Sequence, residues 1–494
     1  EELDSRVVDL HNQLLEIRRE AKQSSSVSEA PPGTAAKDDD KKPALCLDDE
    51  LEILEGLVSV AVAKGGEAIP AMMEAVSVNL RTSLENPPDA LDLALVKSDL
   101  SRLNIIFRGI APQRPERGHE NAQSQPKVSA FQMLMRLWPV LGMPGMVHLL
   151  DKSISLAEEW CSVVKYAVRN VKSDFEGFLE PVLGFLLNAY KRKRFPSWLY
   201  LLSILVVELA QASLKAREII FQTVSAISQE FFIALPSQEA MNENPDNVED
   251  FYRMITRCVS SAPVALISHK PLLSSSLRAS IPAVRINERN AQRTVYVFWA
   301  DFLSLGLPPR ISHDGRPVSS PLGPNGATPE SRRCVSEALM VPADLPGIAE
   351  TVDGTIGSAI VKGCIESLCG LFYCSTHYYD EGERGSASYV LWSLLRMQVL
   401  AQEEGVDLPV VTWIITTLHA LPKVDVETPD SYQLLIGRLT DASVTHHSFV
   451  QRWSRFAREY RRAHKKAARA VEAAVVTASA NRAAASSSAA AQAC

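Results

Sequence analysis

The sequence predicts an all-α fold: an α-solenoid, a superhelix of HEAT/armadillo-like antiparallel helix pairs. Three observations carry this. Apolar residues recur at three- and four-residue spacing from about residue 50 to the C-terminal region, and strand signals are scarce. Helix pairs begin near residues 152, 196, 246 and 287, steps of 44, 50 and 41, close to the roughly 40–47 residues of HEAT or armadillo units. At 494 residues the chain also exceeds the roughly 250–300 at which a single core stops growing, so several domains or a repeat array is required.

Element by element, residues 1–21 read as a partial helical repeat, and 22–47, beginning 22-KQSSSVSEAPPG, lack apolar periodicity and read as a flexible loop. HEAT-like repeats fill 48–306, with helices predicted at 50–63, 67–84, 89–108, 128–141, 152–172, 175–191, 196–211, 214–234, 247–262, 264–280 and 287–305. A second loop falls at 109–127. Residues 307–344 form a Pro-rich insertion: prolines at 308, 309, 317, 321, 324 and 329 exclude a continuous helix. C-terminal HEAT-like repeats occupy 345–470, with helices at 346–375, 386–403, 408–420, 429–442 and 446–470, and 471–494 is a low-complexity Ala/Ser tail.

The segment 247–263 shows the logic of a single unit. Val248, Phe251, Tyr252, Ile255, Val259 and Ala262 share one helical stripe, with Glu249, Asp250, Arg253 and Arg257 largely off it. Asp246 is placed to cap the helix, with Glu249 completing a capping-box-like pair, and Pro263 stops it. Residues 264–281 then supply the second arm of a helical hairpin.

Composition narrows the function classes. Eight scattered cysteines contain no CxxC pair and no compact disulfide framework, which suits buried thiols in a reducing compartment. The longest apolar run, 198-WLYLLSILVV-207, has ten residues against about 20 for a membrane span; it reads as a core helix. Between 451 and 469 eight cations face one carboxylate, Glu459, giving +7, so the rest of a chain whose net charge is −7 carries −14. An acidic body favours basic partners.

No phosphate loop, dinucleotide fingerprint, HExxH pair or GxSxG elbow is present, so neither enzyme chemistry nor a cofactor or metal is expected. His446 and His447 are adjacent, about 100° apart on a helix, and read as a capping or surface pair. Cys364, Cys369 and Cys374 step around a helix at five-residue spacing and do not converge on a metal. Two basic features remain. The run 190-YKRKRF-195 reads as a solvated turn that complements a helix dipole. The segment 453–469 reads either as the closing helix of the array or as a surface for an acidic partner or a membrane.

The stretch 245-PDNVEDFYRMITRCVSSAPVALI-267 closely resembles a helix hairpin of importin-β-family nuclear import receptors of the transportin-3/importin-13 type. Further segments agree in the same order: 99-DLSRLNIIFRGIAP-112, 138-WPVL-141, 165-KYAVRNV-171, 290-NAQRTVYVFWADFL-303, 412-TWIITTLHALPK-423 and 453-WSRFAREYRR-462. The resemblance spans roughly residues 50–462. It implies a karyopherin shuttling between cytoplasm and nucleus, which carries protein cargo past nuclear pore proteins and releases it on binding Ran-GTP. It implies no direct nucleic-acid contact and no membrane span. The chain begins at Glu1 and reads as the C-terminal, cargo-side half, with Ran-GTP contacts mainly in an N-terminal half. The alternative is a HEAT-repeat scaffold subunit of another complex.

The resemblance also implies an arginine-bearing helix for phosphorylated Ser/Arg-rich splicing factors, which maps onto 288-ERNAQRTVYVFWADFL-303. Arg289 is in place, while Val297 and Ala300 stand where two further arginines are expected. Arg285, Arg289 and Arg293, four apart, share one face if the helix extends that far back. These three are the candidate cargo-binding residues, expected on the concave surface.

Overall fold

The computed structural model describes residues 5–16, 46–110, 129–309, 322, 326–344, 353–370, 386–421, 437, 440–441, 445–466 and 469. Every regular element among them is helical, apart from one isolated bridge between Pro342 and Thr355. The chain divides into two compact units, residues 1–227 and 228–494.

The first unit holds α1 (residues 5–16), α2 (Leu47–Ala63), α3 (Ile69–Leu84), α4 (Leu93–Gly109), α5 (Ala130–Leu141), α6 (Pro144–Leu150), α7 (Ile154–Val171), α8 (Glu176–Arg192) and α9 (Pro196–Leu209); α10 (Leu214–Ala234) follows. Alternate helices touch. α2, α4, α7 and α9 each pack on the next to make one row, α3 on α5 begins the other, and α3–α4, α5–α7 and α8–α9 join the rows. That is the packing of stacked helix pairs, in which each apolar stripe is covered by its own pair and by the neighbouring repeats. Local signals set the starts. The side chains of Asp92, Ser129 and Ser153 accept from the backbone N–H of Leu95, Gln132 and Leu156 at 3.1, 3.3 and 3.3 Å.

The second unit repeats the scheme with α11 (Gln238–Glu243), α12 (Pro245–Ser261), α13 (Pro263–Ser268), α14 (Lys270–Ala283), α15 (Arg289–Ser304), α16 (Pro329–Leu339), α17 (Ile356–Leu368), α18 (Ala387–Glu403), α19 (Val410–Ala420) and α20 (residues 446–466). Here α12, α15 and α18 form one row, and α11, α14, α17 and α19 the other. The stripe predicted on α12 is buried throughout, from Val248 to Ala262. Phe251 stacks on Phe231 at a 4.0 Å centroid separation, and the Tyr252 hydroxyl donates to the Ser276 carbonyl at 3.1 Å.

Several expectations need correction. α12 starts one residue before Asp246: Pro245 occupies its first position and Asn244 its cap, so Asp246 lies in the first turn, and Glu249 pairs with Arg253 rather than closing a capping box. The single helix expected over 264–280 is two, because the chain turns at His269 and Pro271, near the start of α14, has no N–H with which to continue α13. The helix expected over 346–375 is shorter within its described part. Thr355 caps α17 by accepting from Ser358 N–H at 3.2 Å, and Gly370, at φ 74°, ends it.

The end of the Pro-rich stretch forms a helix that joins the core through Ser331, Val335, Ser336 and Leu339. Thr328 and Ser331 form a capping box with Pro329 at the first helical position, and the buried Ser331 hydroxyl donates to the Leu305 carbonyl at 2.8 Å. Residues 310–321 and 323–325 lie outside the described residues, as do 22–45 and 111–128, most of the helix expected at 429–442, and the tail beyond 470 apart from the preceding Arg469.

One charged cluster is buried in the first unit. The Arg102 guanidinium on α4, 1% exposed, donates through Nε to Glu50 Oε1 of α2 at 2.7 Å and through an η nitrogen to Asp99 Oδ1 at 2.5 Å. His11 of α1 is also buried. Burial, then the nearby Arg102 charge, pull its pKa down to about 4, against a backbone hydrogen bond at Met72 that acts upward. His11 is therefore neutral in the fold at pH values where the unfolded chain takes up a proton. Its contribution is present in full above pH 6.5 and is lost as pH falls toward 4. Between those limits we expect urea-derived stability to drop by about 3 kcal/mol in the wild type, and His11→Leu to flatten that slope.

Candidate interaction surfaces

Arg285, Arg289 and Arg293 do not share one helical face. The Glu288 side chain caps α15 by accepting from the Ala291 backbone N–H at 2.7 Å, so the helix begins at Arg289, and Arg285 sits in the turn after α14. Its guanidinium reaches across to Glu366 of α17 at 2.9 Å, both side chains being largely buried at 16% and 18% exposure. Arg285 is thus tied into the packing between elements. Arg289 and Arg293 are exposed and one turn apart at the start of α15, which puts two planar forks side by side on the outer face of the helix.

Beside α15 in the same row, α12 presents Glu249, Asp250, Arg253 and Arg257, all partly exposed. Arg253 pairs with both acids. Asp250 is lifted to about 6 chiefly by burial, opposed by Arg253, with Glu249 adding to the rise. The α12–α15 face is therefore a mixed charged surface on which the neighbouring acids are already engaged. Of the two positions expected to carry further arginines, Ala300 is 2% exposed and points into the core, and Val297 is half-buried.

A second surface, on α7 and α9, shows no signature in residue type alone. Lys165 Nζ lies over the Tyr166 ring at 4.5 Å and near the Tyr200 ring at 5.7 Å, and Arg169 pairs with Glu208 at 3.2 Å. Burial and then the Arg169 charge draw the Lys165 amine downward, opposed by Cys161 and Glu159, while the two ring faces favour its charged form. Lys165 and Arg169 are one turn apart, but Tyr200 is 35 residues away in sequence and joins them only when repeats stack.

Cys258 and Cys369 are pushed up to about 12 by burial and Cys364 is pushed upward for the same reason, which leaves these thiols protonated. Cys374 lies outside the described residues. No group of three or more His, Cys, Asp or Glu side chains among the described residues is placed to hold a metal ion. His446 packs edge-on against Tyr389 and Trp392 at centroid distances of 4.9 and 5.3 Å, while His447 bonds Gln451 at 2.8 Å. The basic turn after α8 is structural at Arg192, whose Nε donates to Asp151 at 2.9 and 3.1 Å.

Among the described residues no single helix is long and apolar enough to cross a membrane. Together α5 and α6 reach that length and composition, but they meet at 75° and pack on α3 and α7.

These features define a helical-repeat protein whose described outer faces carry paired charges and aromatics. Residues 129–235, from α5 to the end of α10, match the family described as the transportin-3/importin-13 fourth TPR domain. A solved structure titled "Importin13 cytosolic state" superposes on 85% of the chain with a TM-score of 0.58 and 14% sequence identity. The chain spans 41% of the length of that protein.

Proposed function

We propose that this chain is the cargo-side portion of a nuclear import receptor, working by binding and not by catalysis. The observation that carries the reading is the match of residues 129–235 to the transportin-3/importin-13 domain, within a fold that follows the importin-13 structure over 85% of the chain. On this reading the receptor takes up protein cargo in the cytoplasm, passes nuclear pore proteins and releases cargo when Ran-GTP binds, mainly through a portion N-terminal to this chain.

The cargo includes phosphorylated Ser/Arg-rich proteins. Exposed Arg289 and Arg293 supply bidentate grips for phosphate, while Arg285 is held by Glu366 and contributes less. The test is titration of the chain with a phosphorylated Ser/Arg repeat peptide at fixed moderate salt. Charge-assisted bonds of roughly 1.5–3 kcal/mol each make the Arg285→Ala, Arg289→Ala, Arg293→Ala variant bind at least about tenfold more weakly. The Arg289→Ala, Arg293→Ala double variant should show most of that loss. Equal affinity in wild type and variants retires the cargo role of these arginines.

A further inference from the structure

Helix α20 has two unlike faces. Phe449, Trp453, Phe456 and Tyr460 are buried and run ring to ring along the helix, with centroids 6.2, 5.9 and 6.1 Å apart. The side away from them is exposed at Arg455, Arg458, Arg462, Lys465 and Lys466. Steps of three and four residues align the first four of these cations in one stripe, about 15 Å long with a charge roughly every 5 Å. Among the described residues charge compensation on this stripe is slight. Arg455 meets Glu459 at 3.0 Å, but their side chains are 79% and 53% exposed, and such a pair is nearly neutral in energy. Arg452, which pairs with Asp441 at 3.2 Å, lies off the stripe.

We propose that this stripe docks an acidic protein segment, with Asp and Glu side chains laid along Arg455, Arg458, Arg462 and Lys465. The burial pattern selects that partner over other polyanions. All four aromatics of α20 named above face the body of the second unit, so the stripe offers no platform on which bases could stack. The same burial consumes the apolar face that a membrane-surface helix would insert into lipid. What remains is a straight row of guanidinium and ammonium groups. It matches carboxylates projected at similar spacing from one side of a helix or strand, with Arg able to hold them bidentately. The surface is separate from Arg289 and Arg293 and does not depend on the proposed transport role.

The test is fluorescence anisotropy of the whole chain with three probes: a labelled oligoglutamate peptide, an oligothymidylate of equal charge, and phosphatidylserine-containing vesicles. Wild type should bind the peptide more tightly than the oligothymidylate or the vesicles. The Arg455→Gln, Arg458→Gln, Arg462→Gln, Lys465→Gln variant should lose at least about tenfold in peptide affinity. The Arg289→Gln, Arg293→Gln variant should keep it. Changing the three arginines to lysine keeps the charge, so binding should persist; this separates charge loss from misfolding, which circular dichroism checks directly. Unchanged peptide affinity in the four-site variant, or tighter binding of oligothymidylate or vesicles than of peptide, overturns the proposal.

Discussion

Replacing Arg102 by methionine is expected to lower the stability of the first unit by about 3–5 kcal/mol. The guanidinium is 1% exposed and faces Glu50 and Asp99, themselves 6% and 4% exposed. It holds them at 2.6–2.7 Å and 2.5 Å. Removing the cation leaves two carboxylates buried together without compensation, each carrying the desolvation cost that the arginine offset. The decisive comparison is with the variant that also carries Glu50→Gln and Asp99→Asn. With no uncompensated charge left, it should recover most of the loss. Urea unfolding followed by circular dichroism measures both. A cost below about 1 kcal/mol for Arg102→Met would mean that water reaches the cluster and that the ion pairs do not hold α2 to α4.

Trp160→Ala should cost a similar amount, about 3–5 kcal/mol, for a different reason. Trp160 on α7 is fully buried, stacks on Phe185 of α8 at 4.6 Å, and meets Trp138 of α5 and Trp198 of α9 edge-on or tilted at 6.2 and 5.7 Å. Its Nε1 donates to the Leu141 carbonyl at 3.2 Å. Alanine removes the hub of four helices and that hydrogen bond together, and stacked rows cannot collapse into the void without shifting neighbouring repeats. Trp160→Phe keeps an aromatic ring and should lose only part of that. Thermal unfolding distinguishes them: a drop in Tm no larger for alanine than for phenylalanine would show that the site collapses freely.

Local pattern alone was enough to determine that this chain is helical, and where most helices run. The apolar stripe of 248–262 and the span 214–234 were legible because they rest on spacing of three and four residues, which a helix turns into one face whatever surrounds it. Some misreadings had local signals too. Thr328 followed by Pro329 marks the start of α16 within a Pro-rich stretch, and Glu288 caps α15, a role that Ser, Thr, Asp or Asn more often fills. Tertiary structure alone decided which charges meet between helices. Arg102 and Glu50 are 52 residues apart, and Arg285 and Glu366 are 81 apart. Their pairing arises because alternate helices stack into rows, bringing together side chains from separate repeats. The same stacking buries Ala300, half-covers Val297 and leaves Arg289 and Arg293 exposed on one helix. Helical period fixes the angle between side chains on an element, and only the packing of the neighbouring element decides which of those angles faces solvent.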